Sequence, residues 1–280
     1  IASRYKKSKF TYLRNFKFVN FDLQNKELLK QSLKNVDTVF HLADLNAQNS
    51  HLNPKEAIDI NGKGTLNLLE TAIEKNVKNF IYFSTIHVYG DNLKGHVTEN
   101  TPLIPNNPYA ISTRLAEDLI KLKCNYINST ILRLSNIIAC PLSSSINCWN
   151  LIVNDLCRQI VKYKKVKINS NKNTIRDFNS IKNLLFCCRK LIESKPLDFE
   201  IFNMSFGKST SFNSLANLLT KRTENILKFS PSFKFNEKIY DKKKYKICSN
   251  KLIKFKLILN KETFKEDLDD LLMSSYDWFK

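Results

Sequence analysis

Two segments, NFIYFSTIHVYG at residues 79–90 and NPYAIST at residues 107–113, decide the fold of this sequence. The run Phe80–Phe83 is continuously apolar and aromatic, which is typical of a parallel strand covered on both faces. Hydroxyl side chains follow at Ser84 and Thr85, where this strand ends. Because ligands of open α/β sheets bind outside the carboxyl ends of the strands, the pattern predicts an α/β fold with a ligand site there.

Tyr109 follows a loop rich in Asn and Pro and opens a run of apolar residues at helical spacing. We expect this helix to aim the phenol back at Thr85. The order YFSTIHVYG, PYAIST and RLAED resembles the active-site core of the extended short-chain dehydrogenase/reductases, the NAD-dependent nucleotide-sugar epimerase/dehydratase family. The resemblance implies a doubly wound parallel sheet, the Rossmann-like NAD(P)-binding fold. It also implies a dinucleotide-binding domain over 1–140 and a smaller α/β substrate-binding domain over 141–280, with interleaved segments.

The resemblance makes Thr85 the hydroxyl that hydrogen-bonds the reacting sugar oxygen and Tyr109 the general acid/base. The family pattern Tyr-x-x-x-Lys places a lysine four residues after the tyrosine, where this chain has Thr113. That lysine would lower the phenol pKa, which is about 10 in a free tyrosine. Thr113 brings no charge, and Arg114 lies on another side of the helix. We therefore expect an enzyme with impaired activity, whether epimerase, dehydratase or reductase.

The resemblance also implies which residues contact the cofactor, NAD or NADP. Asp22 and Leu23 would contact the adenine, Arg4 the adenosine ribose, and Asn61 would support the active site. The full set of expected cofactor contacts is Arg4, Asp22, Leu23, Leu42, Ala43, Asn61, Ser84 and Tyr109. Asp44 stands where relatives have a small residue, and its carboxylate would repel a neighbouring pyrophosphate. A local helix or loop cap is the alternative interpretation of this side chain.

The glycine-rich turn of a dinucleotide fold, which lets the backbone approach a pyrophosphate, does not occur in this sequence. The five glycines are Gly62, Gly64, Gly90, Gly95 and Gly207. A further strand and turn of about 30 residues would complete the fold. We therefore expect a truncated enzyme whose cofactor binding is weakened.

The segments LRLSN and RDF provide the expected substrate contacts, Asn136 and Arg176. By the resemblance, Asn136 would contact the substrate or its phosphates, and Arg176 would reach the diphosphate or ribose of a nucleotide-sugar. An ordinary surface ion pair is the alternative interpretation of Arg176, since an isolated arginine is most often that.

The formal net charge of +19 leaves open a different class of function, a non-catalytic basic protein that keeps the fold and binds RNA or an anionic polysaccharide. The lysines are scattered along the chain, which an AT-rich coding bias would also produce. We expect weak, non-specific nucleic-acid binding that disappears near physiological salt, because each neutralised phosphate releases a counterion.

The seven cysteines form no CxxC pair and no Cys/His spacing suited to zinc, so we expect reduced thiols and no metal site. No run of 18 apolar residues indicates a membrane helix, and IASRYKKSKF has no apolar core of signal-peptide length. The sequence therefore predicts a cytoplasmic protein without membrane contact, and the resemblance allows a homodimer.

Overall fold

The computed structural model describes residues 1–3, 16–238, 244–257 and 263–280, so the expected cofactor contact Arg4 lies outside the described residues. In chain order the elements are β1 (Ala2–Ser3), β2 (Val19–Asn20), α1 (Lys26–Ser32), β3 (Thr38–His41), α2 (Ala47–Leu52), α3 (Pro54–Ala57), a π-helical turn (Ile58–Gly64), α4 (Thr65–Glu74), β4 (Asn79–Thr85), a 3-10 turn (Ile86–Tyr89), β5 (Gly95–Val97), α5 (Pro108–Leu122), β6 (Asn128–Leu134), β7 (Asn136–Ile138), α6 (Ile152–Tyr163), β8 (Lys165–Ile168), β9 (Ile175–Ser180), α7 (Ile181–Glu193), β10 (Phe199–Met204), β11 (Ser209–Ser211), α8 (Phe212–Leu227), β12 (Ser232–Phe235), β13 (Tyr245–Ile247), α9 (Asn250–Lys254) and α10 (Thr263–Phe279).

The chain divides into two compact units whose segments alternate along the sequence. Unit 1 consists of Ile1–Asp91, Pro102–Arg133 and Ser194–Phe202. Unit 2 consists of Asn92–Thr101, Leu134–Glu193 and Asn203–Lys280.

A four-stranded sheet of order β10–β6–β4–β3 forms the centre of unit 1. Strands β3 and β4 pair in parallel, with Thr38 beside Asn79 and His41 beside Tyr82. Helices alternate with strands along this part of the chain, as parallel connections require. The predicted α/β class is therefore confirmed.

The central strand β4 is buried as its apolar sequence predicts. Phe80 and Tyr82 belong to one core cluster with residues of α1, α4 and α5, while Ile81, which points to the opposite face, is also buried. Thr85 ends the strand, and its hydroxyl caps the following 3-10 turn by accepting the backbone N–H of His87. The hydroxyl residues at the carboxyl end of β4 thus follow a strand most of whose residues are buried.

Helix α5 begins where the sequence predicts, because two local signals act together. The Asn107 side chain caps the helix by accepting the backbone N–H of Ala110 at 2.9 Å. Pro108 is the first helical residue, where the missing N–H costs nothing. This start places Tyr109 in the first turn of the helix.

The helical pattern over Pro54–Glu74 contains a feature that the sequence did not indicate, the π-helical turn Ile58–Gly64. Two residues with poor helix propensity, Gly62 and Gly64, fall in this turn. Asn61 is fully buried there and its side chain bonds outside its own helix. Such turns occur frequently at functional sites.

The described residues of unit 2 form three small sheets and a core cluster of their own. Their strand orders are β11–β9–β7, β12–β8 and β13–β5. The core cluster packs α6, α8 and α10 against β8 and β9. Asn136 begins β7 and Arg176 lies on β9, so both expected substrate contacts belong to this unit.

Candidate active site

Thr85 and Tyr109, which are 24 positions apart in the sequence, are brought together in unit 1. The Thr85 hydroxyl forms a hydrogen bond with the Tyr109 phenol. Burial raises the pKa of this phenol above its ordinary value, the nearby Asp44 carboxylate raises it further, and the bond with Thr85 partly opposes the shift. Tyr109 is therefore a protonated phenol at neutral pH and can donate a proton more readily than accept one.

A cavity of about 460 Å³ opens beside Tyr109. Its walls are α2, the start of α5 and His87. The His87 ring lies edge-on to the Tyr109 ring, with centroids 6.4 Å apart. His51 and Gln48 line the α2 side. The sequence interpretation missed these three residues, although His87 stands within the STIHVYG segment that identified the site.

Thr113 is fully buried and brings no charge near the Tyr109 phenol. The Thr113 hydroxyl donates to the backbone carbonyl of Tyr109 at 2.8 Å, so its polar atom is used within the helix. Arg114 does not replace the missing lysine, because its Nε lies 2.7 Å from the Asp118 carboxylate on the helix surface. The site therefore has a phenol without an ammonium partner on its own helix.

Asn61 connects the loop after β3 to the first turn of α5. Its Oδ1 accepts the Leu45 N–H at 2.7 Å, and its Nδ2 donates to the Ser112 hydroxyl at 3.0 Å. Ser112 in turn donates to the carbonyl of Tyr109 at 3.0 Å. Asn61 thus supports the backbone around Tyr109 from the π-helical turn.

Ser84 takes part in a buried network behind the site. Its hydroxyl donates to the Glu117 carboxylate at 2.5 Å. The same carboxylate pairs with the Arg133 guanidinium at 2.7 Å, and both side chains are almost fully buried. Arg133 also donates to the Tyr89 hydroxyl at 2.9 Å. The network ties the end of β4 to α5 and β6.

The other expected cofactor contacts differ in how accessible their side chains are. Asp22 accepts the Gln24 N–H at 2.9 Å, and Leu23 is buried in the core. Leu42 exposes 65% of its surface at the end of β3, next to the partly buried Ala43. An apolar side chain this exposed at the carboxyl end of a strand is a surface that a flat ligand could cover.

Asp44 lies where its charge acts on two phenols of unit 1, Tyr109 and Tyr82. Its Oδ1 atom is buried and has no hydrogen-bond partner among the described residues. Burial raises the pKa of this carboxyl to about 7, against the lowering effect of the Leu45 N–H. The sequence interpretation, a carboxylate facing a pyrophosphate or capping a nearby helix or loop, did not include these two phenols.

The expected substrate contacts of unit 2 are engaged with their own unit. Asn136 donates to the carbonyl of Asp177 at 2.7 Å. Arg176 donates to the carbonyl of Ile175 at 2.8 Å, and its guanidinium lies 6.0 Å from the centre of the Phe212 ring. Burial raises the pKa of the Asp177 carboxyl to about 6, although the Phe206 and Lys208 N–H groups bond it.

Within the described part of the chain, no three His, Cys, Asp or Glu side chains are grouped so that they could hold a metal ion. The described helices also include none with the length and apolar composition that crossing a membrane requires.

The model of the NAD dependent epimerase/dehydratase family matches residues 1–205. A Methanocaldococcus jannaschii protein with the provisional name UDP-glucose 4-epimerase is 31% identical over 230 residues, 80% of this chain and 71% of that protein. UDP-glucose 4-epimerase 2 of Oryza sativa is 28% identical over 236 residues, 74% of this chain and 56% of the relative. Several curated relatives are thus matched over less than two thirds of their own length.

The structure of a UDP-glucose 4-epimerase from Thermotoga maritima, solved with UDP-glucose, has the same fold. Its TM-score is 0.82 at 24% identity, and the match covers 99% of this chain and 89% of that one. The Rossmann-like fold predicted from the sequence is therefore confirmed. With the family model matching residues 1–205, the chain belongs to the NAD dependent epimerase/dehydratase family.

Proposed function

We propose that the chain is an NAD(P)-dependent enzyme that converts a nucleotide-sugar, as an epimerase, dehydratase or reductase of impaired turnover. The observation that carries this proposal is the hydrogen-bonded pair of Thr85 and Tyr109 beside a cavity of about 460 Å³. The nucleotide-sugar relatives named above support the substrate class. Cavities of this size are typical of small-molecule sites.

The roles of the two hydroxyls follow from their positions. Thr85, held by β4, aligns the sugar hydroxyl with the phenolic oxygen of Tyr109. The phenolate form of Tyr109 receives the hydroxyl proton when the sugar carbon is oxidised, and the resulting phenol returns it when the carbonyl is reduced. A bound nicotinamide would supply the hydride acceptor and donor. Burial keeps the phenol pKa high, and Thr113 brings no charge that would lower it, which is why we propose impaired turnover.

The residues at the end of β3 are suited to contact the ring face of a nicotinamide cofactor. The glycines of this chain, in contrast, do not form a turn that binds a pyrophosphate. Leu42 presents exposed apolar surface and Ala43 a small side chain. Gly62 and Gly64 belong to the π-helical turn and pack against Leu115 and Leu23, so neither lies in a phosphate-binding turn. We propose that Leu42, Ala43 and Tyr109 contact the nicotinamide half of the cofactor.

Because the sequence has no glycine-rich turn to bind the pyrophosphate, we predict weak cofactor affinity for these 280 residues. Backbone N–H groups at a glycine-rich turn normally bind the pyrophosphate, and that contribution is lost here. We expect dissociation constants for NAD and NADP weaker than about 1 μM by titration calorimetry. A tighter constant for either cofactor would contradict this expectation.

In unit 2 we propose that Asn136 and Arg176 contact the nucleotide part of the substrate. Both side chains are only partly buried, and an arginine fork suits a diphosphate. A homodimer is also proposed, supported by apolar side chains that are exposed along one face of α5 at Ile111, Leu115 and Leu122.

The proposed reaction can be tested by following UDP-glucose and UDP-glucuronic acid with saturating NAD by proton NMR. We expect slow conversion by the unmodified chain and at least about 100-fold less by Tyr109→Phe, the size of a lost general acid/base. Conversion at an equal rate in the Phe variant would show that another group performs the chemistry.

A further inference from the structure

An exposed face of unit 2 carries lysines in adjacent positions of two paired strands. On β8 the exposed Lys165 and Lys167 alternate with buried apolar residues, and on β12 the exposed Lys234 lies between two partly buried phenylalanines. Because successive side chains of a strand point to opposite faces, all three lysines point outward. The parallel register places Lys167 directly beside Lys234 and Lys165 beside Ser232. Lys165, Lys167 and Lys234 therefore form one surface, the lysine face.

The described part of the chain does not neutralise the lysine face. Like charges that lie side by side on neighbouring strands repel each other, and none of the three ammonium groups has an ion pair among the described residues. The Glu237 carboxylate, which follows β12, accepts the Asn171 side chain at 3.3 Å. Asp155 of α6, a helix that packs against β8, pairs with Arg158 at 2.6 Å. An anion from outside would relieve the repulsion within the face.

The lysine face is the centre of a wider concentration of positive charge. Segments 162–172 and 228–238 together contain eight lysines and one acidic residue, Glu237. The whole chain has 45 basic and 26 acidic residues, a ratio far below that of these two segments. The segments are distant in the sequence and become neighbours because β8 pairs with β12. For this reason the lysines look scattered along the sequence although the fold groups them.

The geometry of the lysine face suits a polymer with closely spaced anionic groups. Strand geometry places the Cα atoms of Lys165 and Lys167 about 6.6 Å apart, and those of Lys167 and Lys234 about 4.8 Å apart. The other face of the strands packs into the core of unit 2, where Val166 and Ile168 are buried. Because that side is closed, the strands offer a polymer their outer surface and not a ribbon that could enter the groove of a duplex.

An exposed aromatic side chain beside the lysine face favours single-stranded nucleic acid as the polymer. Tyr163 ends α6 just before β8 begins, and it exposes 65% of its surface. Lys162 and Lys164 flank it in the sequence. Proteins that bind single strands combine cations along the backbone with aromatic rings on which the bases stack. A sulfated polysaccharide offers anionic groups but no base that could stack on this ring.

An anionic membrane fits the same surface less well. Surfaces that bind membranes combine their cations with several apolar side chains that enter the lipid. Among the described residues of 162–172 and 228–238, Tyr163 is the one large apolar side chain that is exposed. A single tyrosine provides a stacking platform but not an apolar face.

We propose that the lysine face and Tyr163 bind single-stranded nucleic acid, with the lysines on its phosphates and a base stacked on the phenol ring. The binding has no sequence preference, because phosphate contacts position a nucleic acid without reading its bases. Each phosphate contact to a single strand steepens the fall of log K with log salt by about 0.7. Three lysines therefore contribute about 2 to this slope, and binding weakens steeply toward physiological salt.

The first test measures the fluorescence anisotropy of a labelled oligouridylate of about 16 nucleotides, titrated with the full chain between about 0.02 and 0.15 M salt. The lysine-face variant carries Lys165→Gln, Lys167→Gln and Lys234→Gln. It should bind at least about tenfold more weakly at the lowest salt, with a slope that is smaller by about 2. If the unmodified chain does not bind at the lowest salt, the proposal is wrong.

A control variant removes the same charge from another part of the chain. It carries Lys55→Gln, Lys121→Gln and Lys195→Gln, which change three exposed lysines on separate segments of unit 1. It should keep the salt slope and, within about twofold, the affinity, because salt screens charges that do not touch the nucleic acid. Equal losses in the two triple variants would show that binding depends on net charge and would overturn the lysine face as the site.

The second test asks whether the partner is nucleic acid. Tyr163→Ala should weaken oligouridylate binding at least about fivefold without changing the salt slope, and Tyr163→Phe should keep the affinity. Heparin and phosphatidylserine vesicles are titrated in parallel. Binding of heparin and oligouridylate that depends on the lysines but not on Tyr163 would indicate a polysaccharide surface, and tighter binding to the vesicles would indicate a membrane surface. Either result would overturn the proposal. These measurements involve no turnover, so their outcome is independent of the proposed function.

Discussion

Thr113→Lys is expected to raise the turnover of a nucleotide-sugar by at least about tenfold when the cofactor is bound. Position 113 lies one helical turn after Tyr109, so an ammonium there favours the phenolate. The measurement is kcat at saturating cofactor and substrate.

Two controls make this result specific to charge. Thr113→Met adds a side chain of similar length without an ammonium and should give no gain. Tyr109→Phe added to Thr113→Lys should remove the gain, because the lysine acts through the phenol. If the unmodified chain already turns over near the typical enzyme rate of about 10 per second, the missing lysine is not limiting.

Glu117→Gln is expected to lower the free energy of unfolding by about 3–5 kcal/mol. The substitution leaves the shape nearly unchanged but removes the countercharge of Arg133, whose side chain is 2% exposed. The bond from Ser84 to this carboxylate is also weakened. The measurement is urea unfolding followed by far-ultraviolet circular dichroism, with separate transitions fitted if the two units unfold separately.

The neighbouring residue offers a matched control for this prediction. Asp118→Asn removes the carboxylate that pairs with Arg114 on the exposed face of the same helix. Exposed ion pairs contribute about 0–1 kcal/mol to the free energy of unfolding. The stability of this variant should therefore remain close to that of the unmodified chain. Equal losses of unfolding free energy in the two variants would show that burial does not determine how much the Glu117–Arg133 pair contributes to stability.

The sequence predicts the parts of the site that depend on local pattern. The apolar run before Ser84 predicts a buried strand, and β4 is that strand. The apolar residues at helical spacing after Tyr109 predict a helix, and α5 is that helix, with Tyr109 in its first turn. Both are local signals, since apolar periodicity and strand burial are read within a few residues.

Features that depend on contacts between distant segments could not be predicted in the same way. The Asp44 carboxylate acts on a phenol 65 positions later, and only the packed structure brings them together. The π-helical turn has the same apolar spacing as an ordinary helix, so periodicity does not reveal it. The alternating segment Phe16–Phe21 favours a longer strand than the observed Val19–Asn20, because alternation does not determine how many residues find a partner.

The most direct test of the central claim is a single-turnover experiment with NAD and UDP-glucose in excess of their dissociation constants. The fluorescence of reduced nicotinamide is followed after mixing, in the unmodified chain, Thr113→Lys and Tyr109→Phe. We predict a slow rise in the unmodified chain, a faster rise in Thr113→Lys and no rise in Tyr109→Phe, while calorimetry shows both ligands bound in all three. An equal rise in Tyr109→Phe, or no rise in any chain with both ligands bound, would contradict Tyr109 as the acid/base of a nucleotide-sugar enzyme.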